Sequence, residues 1–488
     1  MGKCFQCVVG RQTLRRDHFS QHPYFQHDRQ NLEACVLRQF GQQIASQSTR
    51  HFLKLTNLPN SCEFGCDLAC EEVWSAVKPT VLIATTTRWF PTARLAAALV
   101  NAGFTVDAVC PSQHPLRKTN ALRRMYGYRG LDALTSFADA ITTAKPDVIV
   151  PGDDLATQHL HRIYDEERRK GGAGEATCSL IERSLGAPEN FAVLYARSKF
   201  IELAQEEGIR APNTRVVRDN GDLKEWIAEN GFPVVLKADF SSGGDGVRVV
   251  HSVEDAERAL KVLQAPPLLL RAAKRALIDR DTTLVWPSLL RRRSVVNAQS
   301  FAPGREATSA IACWKGEVLA GLHFEVIHKG VSSGPATVLR LIDNAEMNIA
   351  AERMARRLNL SGLHGFDFML EAQTGNAYLI EINPRSTQVG HLTLGAGRDL
   401  PAAFCAALSG ESLRPARKVT ECDLIALFPK EWERDQASAF LRGSAYHDVP
   451  WEEPELLRAC LRERKKIGAL SSRENWSQVF STARARRL

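Results

Sequence analysis

The residues best suited to chemistry in this chain are two acids, an amide and an arginine in the stretch Gly365–Arg385. Two short apolar, β-prone runs, 365–370 and 377–383, flank the punctuation Gln373-Thr374-Gly375-Asn376, which is a hairpin signal. A turn centred near Thr374 sets Asp367 opposite Glu381 on the neighbouring strand, with side chains about 5 Å apart. Like charges so opposed repel, and apolar neighbours such as Phe368, Leu379 and Ile382 strengthen the repulsion. A divalent cation between the carboxylates is the simplest relief. Asn383 follows Glu381 at the strand period of two and shares its face, roughly 6.6 Å further along. Asp, Glu and Asn oxygens are hard ligands that suit Mg2+, with Mn2+ as a substitute, and Arg385 brings a fixed cation to the same spot. Asp367, Glu381 and Asn383 therefore read as a metal-triphosphate platform. The competing reading is an exposed hairpin whose acids keep an edge soluble; against it, Pro384 ends the strand immediately after Asn383.

A second constellation suits phosphate. Pro233–Lys237 reads as a strand, followed by the loop Ser241-Ser242-Gly243-Gly244-Asp245-Gly246 and a return strand Val247–His251. Glycines carry no Cβ, so backbone N–H groups at Ser242, Gly243, Gly244 and Gly246 can approach phosphate oxygens, and Lys237 adds a point charge. No Gly-Lys-Ser/Thr opens a helix here, so this is not a Walker A loop. A tight hairpin without a ligand is the alternative.

Together these segments resemble the ATP-grasp superfamily of carboxylate-amine or carboxylate-thiol ligases, whose members include carbamoyl phosphate synthetase, biotin carboxylase and D-alanine:D-alanine ligase. Asp367-Phe368 with Glu381-Ile382-Asn383-Pro384-Arg385 is similar to the family's metal-binding hairpin, and the loop after Lys237 to its glycine-rich lid. Ser198-Lys199 to Ile209, then Arg210-Ala211-Pro212-Asn213-Thr214, resembles the family's first segment, which implies that Lys199 meets the nucleotide phosphates; a plain surface lysine is the competing reading. Val296–Glu306 resembles the crossing from lid to large subdomain, implying an adenine contact at Gln299, where Glu is more usual, and a ribose contact at Glu306. The implied fold is α/β: an N-terminal Rossmann-like, pre-ATP-grasp domain, then a two-lobed α+β ATP-grasp domain with a mobile lid. The implied activity uses ATP and Mg2+ to convert a small-molecule carboxylate into an acylphosphate, which an amine or thiol then captures, with Arg385 and Lys237 as catalytic residues. An ATP-grasp kinase, or a nucleotide-binding module without catalysis and with a basic tail, is the alternative.

The elements that must position these residues begin at Pro79. Thr80–Thr85, Thr105–Cys110 and Asp147–Pro151 read as strands, and Pro91–Asn101 and Leu134–Ala144 as helices, an alternation that implies a right-handed parallel layer. Ligands of such sheets lie at strand carboxyl ends, so Thr85–Arg88 and Asp153-Asp154 are candidate substrate-side residues, although Asp153 could equally cap the next helix. No G-x-G-x-x-G follows the first strand. The expected division is an unassigned extension at 1–78, a Rossmann-like domain at 79–186, an ATP-grasp domain at 187–411 with its lid at about 213–299, and a C-terminal extension at 412–488. His391 lies in a loop that resembles the acceptor side of carboxylate ligases and reads equally as structural or catalytic.

Composition sets the outer bounds. The 488 residues, 44% hydrophobic and 24% charged, support several globular domains with ample core. No apolar run reaches the length of a membrane span and no secretory signal opens the chain, so a cytoplasmic home without a membrane partner is expected. The charge of +8 is spread along the chain without aromatic interleaving, which argues against nucleic acid as a partner and fits anionic small-molecule substrates. A homodimer is compatible with this reading. Of 12 cysteines, Cys62, Cys66 and Cys70 recur every four residues, but they lack the paired spacing of zinc modules.

Overall fold

The computed structural model describes residues 78–239, 246–266, 289–290, 293–330, 334–412 and 417–467, with side chains as far as Cys460. All of these fall within one compact unit, Ser75–Leu488. The cysteines 62, 66 and 70 and the loop residues Ser242, Gly243 and Gly244 lie outside the described residues.

Strands β1 (Thr80–Ala84), β2 (Thr105–Cys110), β3 (Arg124–Gly127) and β4 (Val148–Pro151) form a parallel sheet in the order β3-β2-β1-β4. Around it run helices α1 (Phe90–Asn101), α2 (Ala133–Ala144), α3 (Asp154–Arg169) and α4 (Glu175–Leu185). Burial of both faces explains why β1 reads as an unbroken apolar run. Val81 and Ile83 pack with Leu95 and Leu99 of α1, whereas Leu82 and Ala84 pack with Phe137, Leu160 and Ile181 of α2, α3 and α4.

Helix α5 (Arg197–Glu206) leads into a second sheet, and here the segment read from sequence as a lid folds. Its elements are β5 (Thr214–Val217), α6 (Asn220–Asn230), β6 (Val234–Ala238), β7 (Val247–Val250), α7 (Val253–Gln264) and β8 (Val296–Ser300). The order is β5-β8-β6-β7, antiparallel throughout. Asp219 and Ser252 cap its two helices by accepting from the backbone N–H of Asp222 and Asp255, and Leu223, Trp226 and Leu260 cover one face of the sheet.

The largest sheet has seven strands, formed by β9 (Arg305–Trp314), β10 (Glu317–Lys329), β11 (Ala336–Leu341), β12 (Gly362–Leu370), β13 (Ala377–Asn383), β14 (Leu424–Leu427) and β15 (Tyr446–Asp448), in the order β13-β12-β9-β10-β11-β14-β15. Helices α8 (Ala345–Arg357), α9 (Leu400–Ser409), α10 (Lys430–Arg434) and α11 (Pro454–Ile467) complete it. One face buries Phe366 and Phe368 against Phe200 of α5 and Met347 and Met354 of α8. Its other face shares a core with the parallel layer: Leu322, Phe324 and Ile425 meet Val81, Ile83 and Leu95. Residues assigned from sequence to a C-terminal extension thus supply the last two strands of this sheet.

Candidate active site

The hairpin β12–β13 sets the acids where the sequence expects them. Asp367 pairs with Glu381, Phe366 with Ile382 and Gly365 with Asn383, and beyond Asp367 the register shifts by one residue so that Phe368 pairs with Leu379. This bulge falls at the carboxylate pair, where bulges re-aim side chains. Asp367 Oδ1 accepts from Thr308 Oγ1 at 2.9 Å and its Oδ2 from Asn383 Nδ2 at 3.0 Å, which turns Asn383 Oδ1 toward Arg385 Nη2 at 3.2 Å. Gly365 keeps this corner open, because a Cβ there would collide with Thr387 Cγ2.

Two cations from other elements converge on Glu381. Arg197, first residue of α5, donates through Nε and Nη2 to Glu381 Oε2 at 3.2 and 3.0 Å, and through Nη1 to the carbonyl of Ala238 at 2.6 Å. Lys237 near the end of β6 is buried, with Glu381, Asp367 and Glu306 as its surrounding negative charges. Burial pulls its ammonium down to about 8, against those carboxylates and with help from Arg197. Asp367 is pushed up to about 6 by burial first and by Glu381 second. Glu381 goes the other way: burial opposes ionisation, but Arg197 and Lys237 outweigh it and hold the carboxyl below the usual glutamate range. Neighbouring carboxylates whose environments split them in this way make the pair a candidate functional site.

A second arginine completes the group. Arg385 donates from Nε to Asp154 Oδ1 at 3.1 Å and from Nη1 to the carbonyl of Ser386 at 3.2 Å, and its Cζ lies 5.2 Å from the centre of the Trp89 ring. Asp153 takes the structural part of the two readings open from sequence. It caps α3 by accepting from Ala156 N–H at 2.9 Å and pins the loop after β1 through Thr85 Oγ1 at 2.7 Å and Thr86 N–H at 2.6 Å.

Other expected residues are less central. Lys199 does not join the group: its ammonium pairs with Glu202 at 2.9 Å, and its side chain is 49% exposed. Arg197, two residues earlier and so on the opposite side of the helix, reaches Glu381 in its stead. The helix start alone does not single it out, since Lys199 stands in the same first turn. Gln299 is buried and donates to Thr214 Oγ1 at 2.9 Å. Glu306 receives Lys329 Nζ on both oxygens at 2.8 Å. Gly246 accepts at its carbonyl from Ala238 N–H at 2.9 Å. His391 is buried on Asp448, 2.7 Å away, which also holds Arg94 at 2.7 Å.

The donor set fits a hard divalent ion. Asp367 and Glu381 face each other directly, and Asp367 is pushed toward protonation by burial and then by the charge of Glu381, which a cation would offset. Among the described residues no three His, Cys, Asp or Glu side chains gather as a metal cage, so further oxygens would come from Asn383, phosphates and water, as Mg2+ prefers. No helix among the described residues is long and apolar enough to cross a membrane.

Residues 196–396 match the family model described as the carbamoyl-phosphate synthase L chain ATP-binding domain. The carbamoyl phosphate synthase large chain of Ralstonia nicotianae is 25% identical over 222 residues, covering 44% of this chain and 19% of that one. The arginine-specific large chain from Geobacillus stearothermophilus is 27% identical over 199 residues, 39% of this chain and 16% of its own. This chain thus spans about a fifth of the length of the curated relatives it matches. Among solved structures, the biotin carboxylase domain dimer of Hydrogenobacter thermophilus 2-oxoglutarate carboxylase aligns with a TM-score of 0.49 and 16% identity, over 69% of this chain and 70% of that one.

Proposed function

We propose that this chain, a member of the ATP-grasp superfamily of ATP-binding ligases through its residues 196–396, activates a small carboxylic acid with ATP and passes the acyl group to an amine, or in a second form to a thiol. The observation that carries this reading is the opposed pair Asp367–Glu381, met from β6 by Lys237 and from α5 by Arg197. Three elements bring cations and hard oxygens to one point, as a triphosphate with its metal requires.

Asp367, Glu381 and Asn383 would hold Mg2+, which when bound neutralises charge shared between phosphate oxygens. Arg197 and Lys237 would take the phosphates from the other side, and the backbone N–H groups of Ser242, Gly243, Gly244 and Gly246 would be further phosphate donors. Glu306 would receive the ribose, Gln299 would face the adenine, and the parallel layer at 79–186 would serve as the Rossmann-like, pre-ATP-grasp domain. In the first step a substrate carboxylate oxygen bonds to the γ-phosphorus as the bond to the β-γ bridging oxygen breaks, giving acylphosphate and ADP. In the second the amine nitrogen attacks the acyl carbon, phosphate departs with the electron pair of the C–O bond, and nitrogen loses its proton to water. Arg385 faces the charge that develops in both steps. Exclusion of water protects the mixed anhydride.

The test is ADP release across a panel of small carboxylic acids with and without amines, with Glu381→Gln as the blank. Acid-stimulated release that the substitution abolishes supports the reading, and release that survives in the blank contradicts it. A kinase on the same fold would yield a phosphorylated product that hydroxylamine does not trap as a hydroxamate.

A further inference from the structure

Three consecutive residues that follow the metal-binding strand are fastened one by one to a single corner of the parallel layer. The carbonyl of Pro384 accepts from Thr157 Oγ1 at 2.8 Å, Arg385 Nε donates to Asp154 Oδ1 at 3.1 Å, and Ser386 N–H donates to the carbonyl of Pro151 at 3.1 Å. Pro151 ends β4, while Asp154 and Thr157 lie in the first turn of α3. The same corner controls the loop carrying Trp89, because Asp153 accepts from Thr85, Thr86 and Thr87, and Trp89 N–H donates to the carbonyl of Thr87 at 3.1 Å. Trp89 then covers one face of the Arg385 guanidinium, 5.2 Å from ring centre to Cζ.

We infer that Asp154 and Trp89 are positioning residues for Arg385, so that the parallel layer, rather than the hairpin alone, aims the arginine at the reacting phosphoryl and acyl groups. The donor inventory supports this. A guanidinium has five N–H donors. Asp154, Asn383 Oδ1 and the carbonyl of Ser386 take one each from Nε, Nη2 and Nη1. Among the described residues, five less three leaves two N–H groups, both on Nη atoms, to offer an anion. Asp154 on Nε fixes the plane of the fork and Trp89 fixes its tilt, so both remaining donors have a set direction. The hairpin could not do this by itself, because Arg385 lies beyond the end of β13, where Pro384 has stopped the ladder.

This inference rests on the ligase reading for the role of Arg385 but is tested apart from it. One measurement is hydrogen exchange at Arg385 Nε–H, identified by its absence in Arg385→Ala. In Asp154→Ala the exchange is expected to quicken at temperatures well below the variant's own melting temperature, where the fold is intact; unchanged exchange overturns the clamp whether or not any turnover is found. The second is turnover with whichever acid stimulates ADP release. A misplaced arginine is expected to lower kcat roughly 10²-fold with the KM for ATP unchanged. Trp89→Leu should reproduce part of the loss and Trp89→Phe restore it. In the Arg385→Ala background, Asp154→Ala should add nothing further, since the two act as one unit. A full additive loss there refutes positioning through Arg385. No acid-stimulated release by the wild-type chain would sink the ligase reading and leave the exchange result to decide the clamp.

Discussion

Replacing Arg197 by Met separates the site drawn here from the one the sequence suggests. Arg197 makes two bonds to Glu381 and one to the carbonyl of Ala238, and it lies 3.7 Å from Asp239. Its side chain is 16% exposed, against 28% for Glu381 and 8% for Asp239. Truncation leaves both carboxylates short of a cation, a loss of roughly 3 kcal/mol, at the low end for buried pairs because Glu381 keeps some water. At about 2 °C per kcal/mol for a chain of this size the melting temperature should fall by about 6 °C. A second readout reports function. MgADP at a hundredfold excess over its Kd stabilises a binding-competent fold by about 2.7 kcal/mol, about 5 °C on the same scale. Arg197→Met should lose most of that increment, because its guanidinium stands where phosphates would lie against Glu381. Lys199→Ala should melt within about 1 °C of wild type and keep the nucleotide increment, because an exposed i,i+3 ion pair contributes only about 0.3–0.5 kcal/mol. If Arg197→Met keeps the nucleotide increment and Lys199→Ala loses it, the assignment of the phosphate cation on α5 is wrong.

Two further expectations follow from the same geometry. Lys237, drawn down to about 8, sheds its charge as pH rises through that value, and Asp367, raised to about 6, sheds its charge as pH falls through that value. MgADP affinity measured by titration calorimetry should therefore be greatest between about 6 and 8; Lys237→Met should flatten the alkaline limb alone, and a limb left unchanged in that variant would assign it to another group. Asp153→Ala removes the cap of α3 and the acceptor for Thr85 Oγ1 and Thr86 N–H at once. It should cost about 2–4 kcal/mol, a cap plus stranded buried donors, read as a shifted urea midpoint with unchanged slope.

What the sequence made legible and what it hid divide along one physical line. Local patterns with their own periodicity were readable: the hairpin register around Thr374 and the alternation from Thr80 to Pro151. The short strand β3 was not, because Arg124–Gly127 at a sheet edge is exposed at both ends and offers no alternation. Neither was the register bulge beside Asp367, where the pairing passes from Glu381 to Leu379 and skips Ile380. Arg197, Thr308 and Trp89 escaped for a related reason. Each belongs to the site through a partner distant in the chain, Glu381, Asp367 or Arg385, and a single sequence encodes such a pairing only after the topology is known. Lys199 stood out because lysine at that place fits a motif, yet side-chain direction on a helix changes by about 100° per residue. Two residues decide whether a cation meets the carboxylates or the solvent, so a motif locates the turn of helix, and only the packing of Phe200 and Ile201 into the core selects which of its cations faces inward.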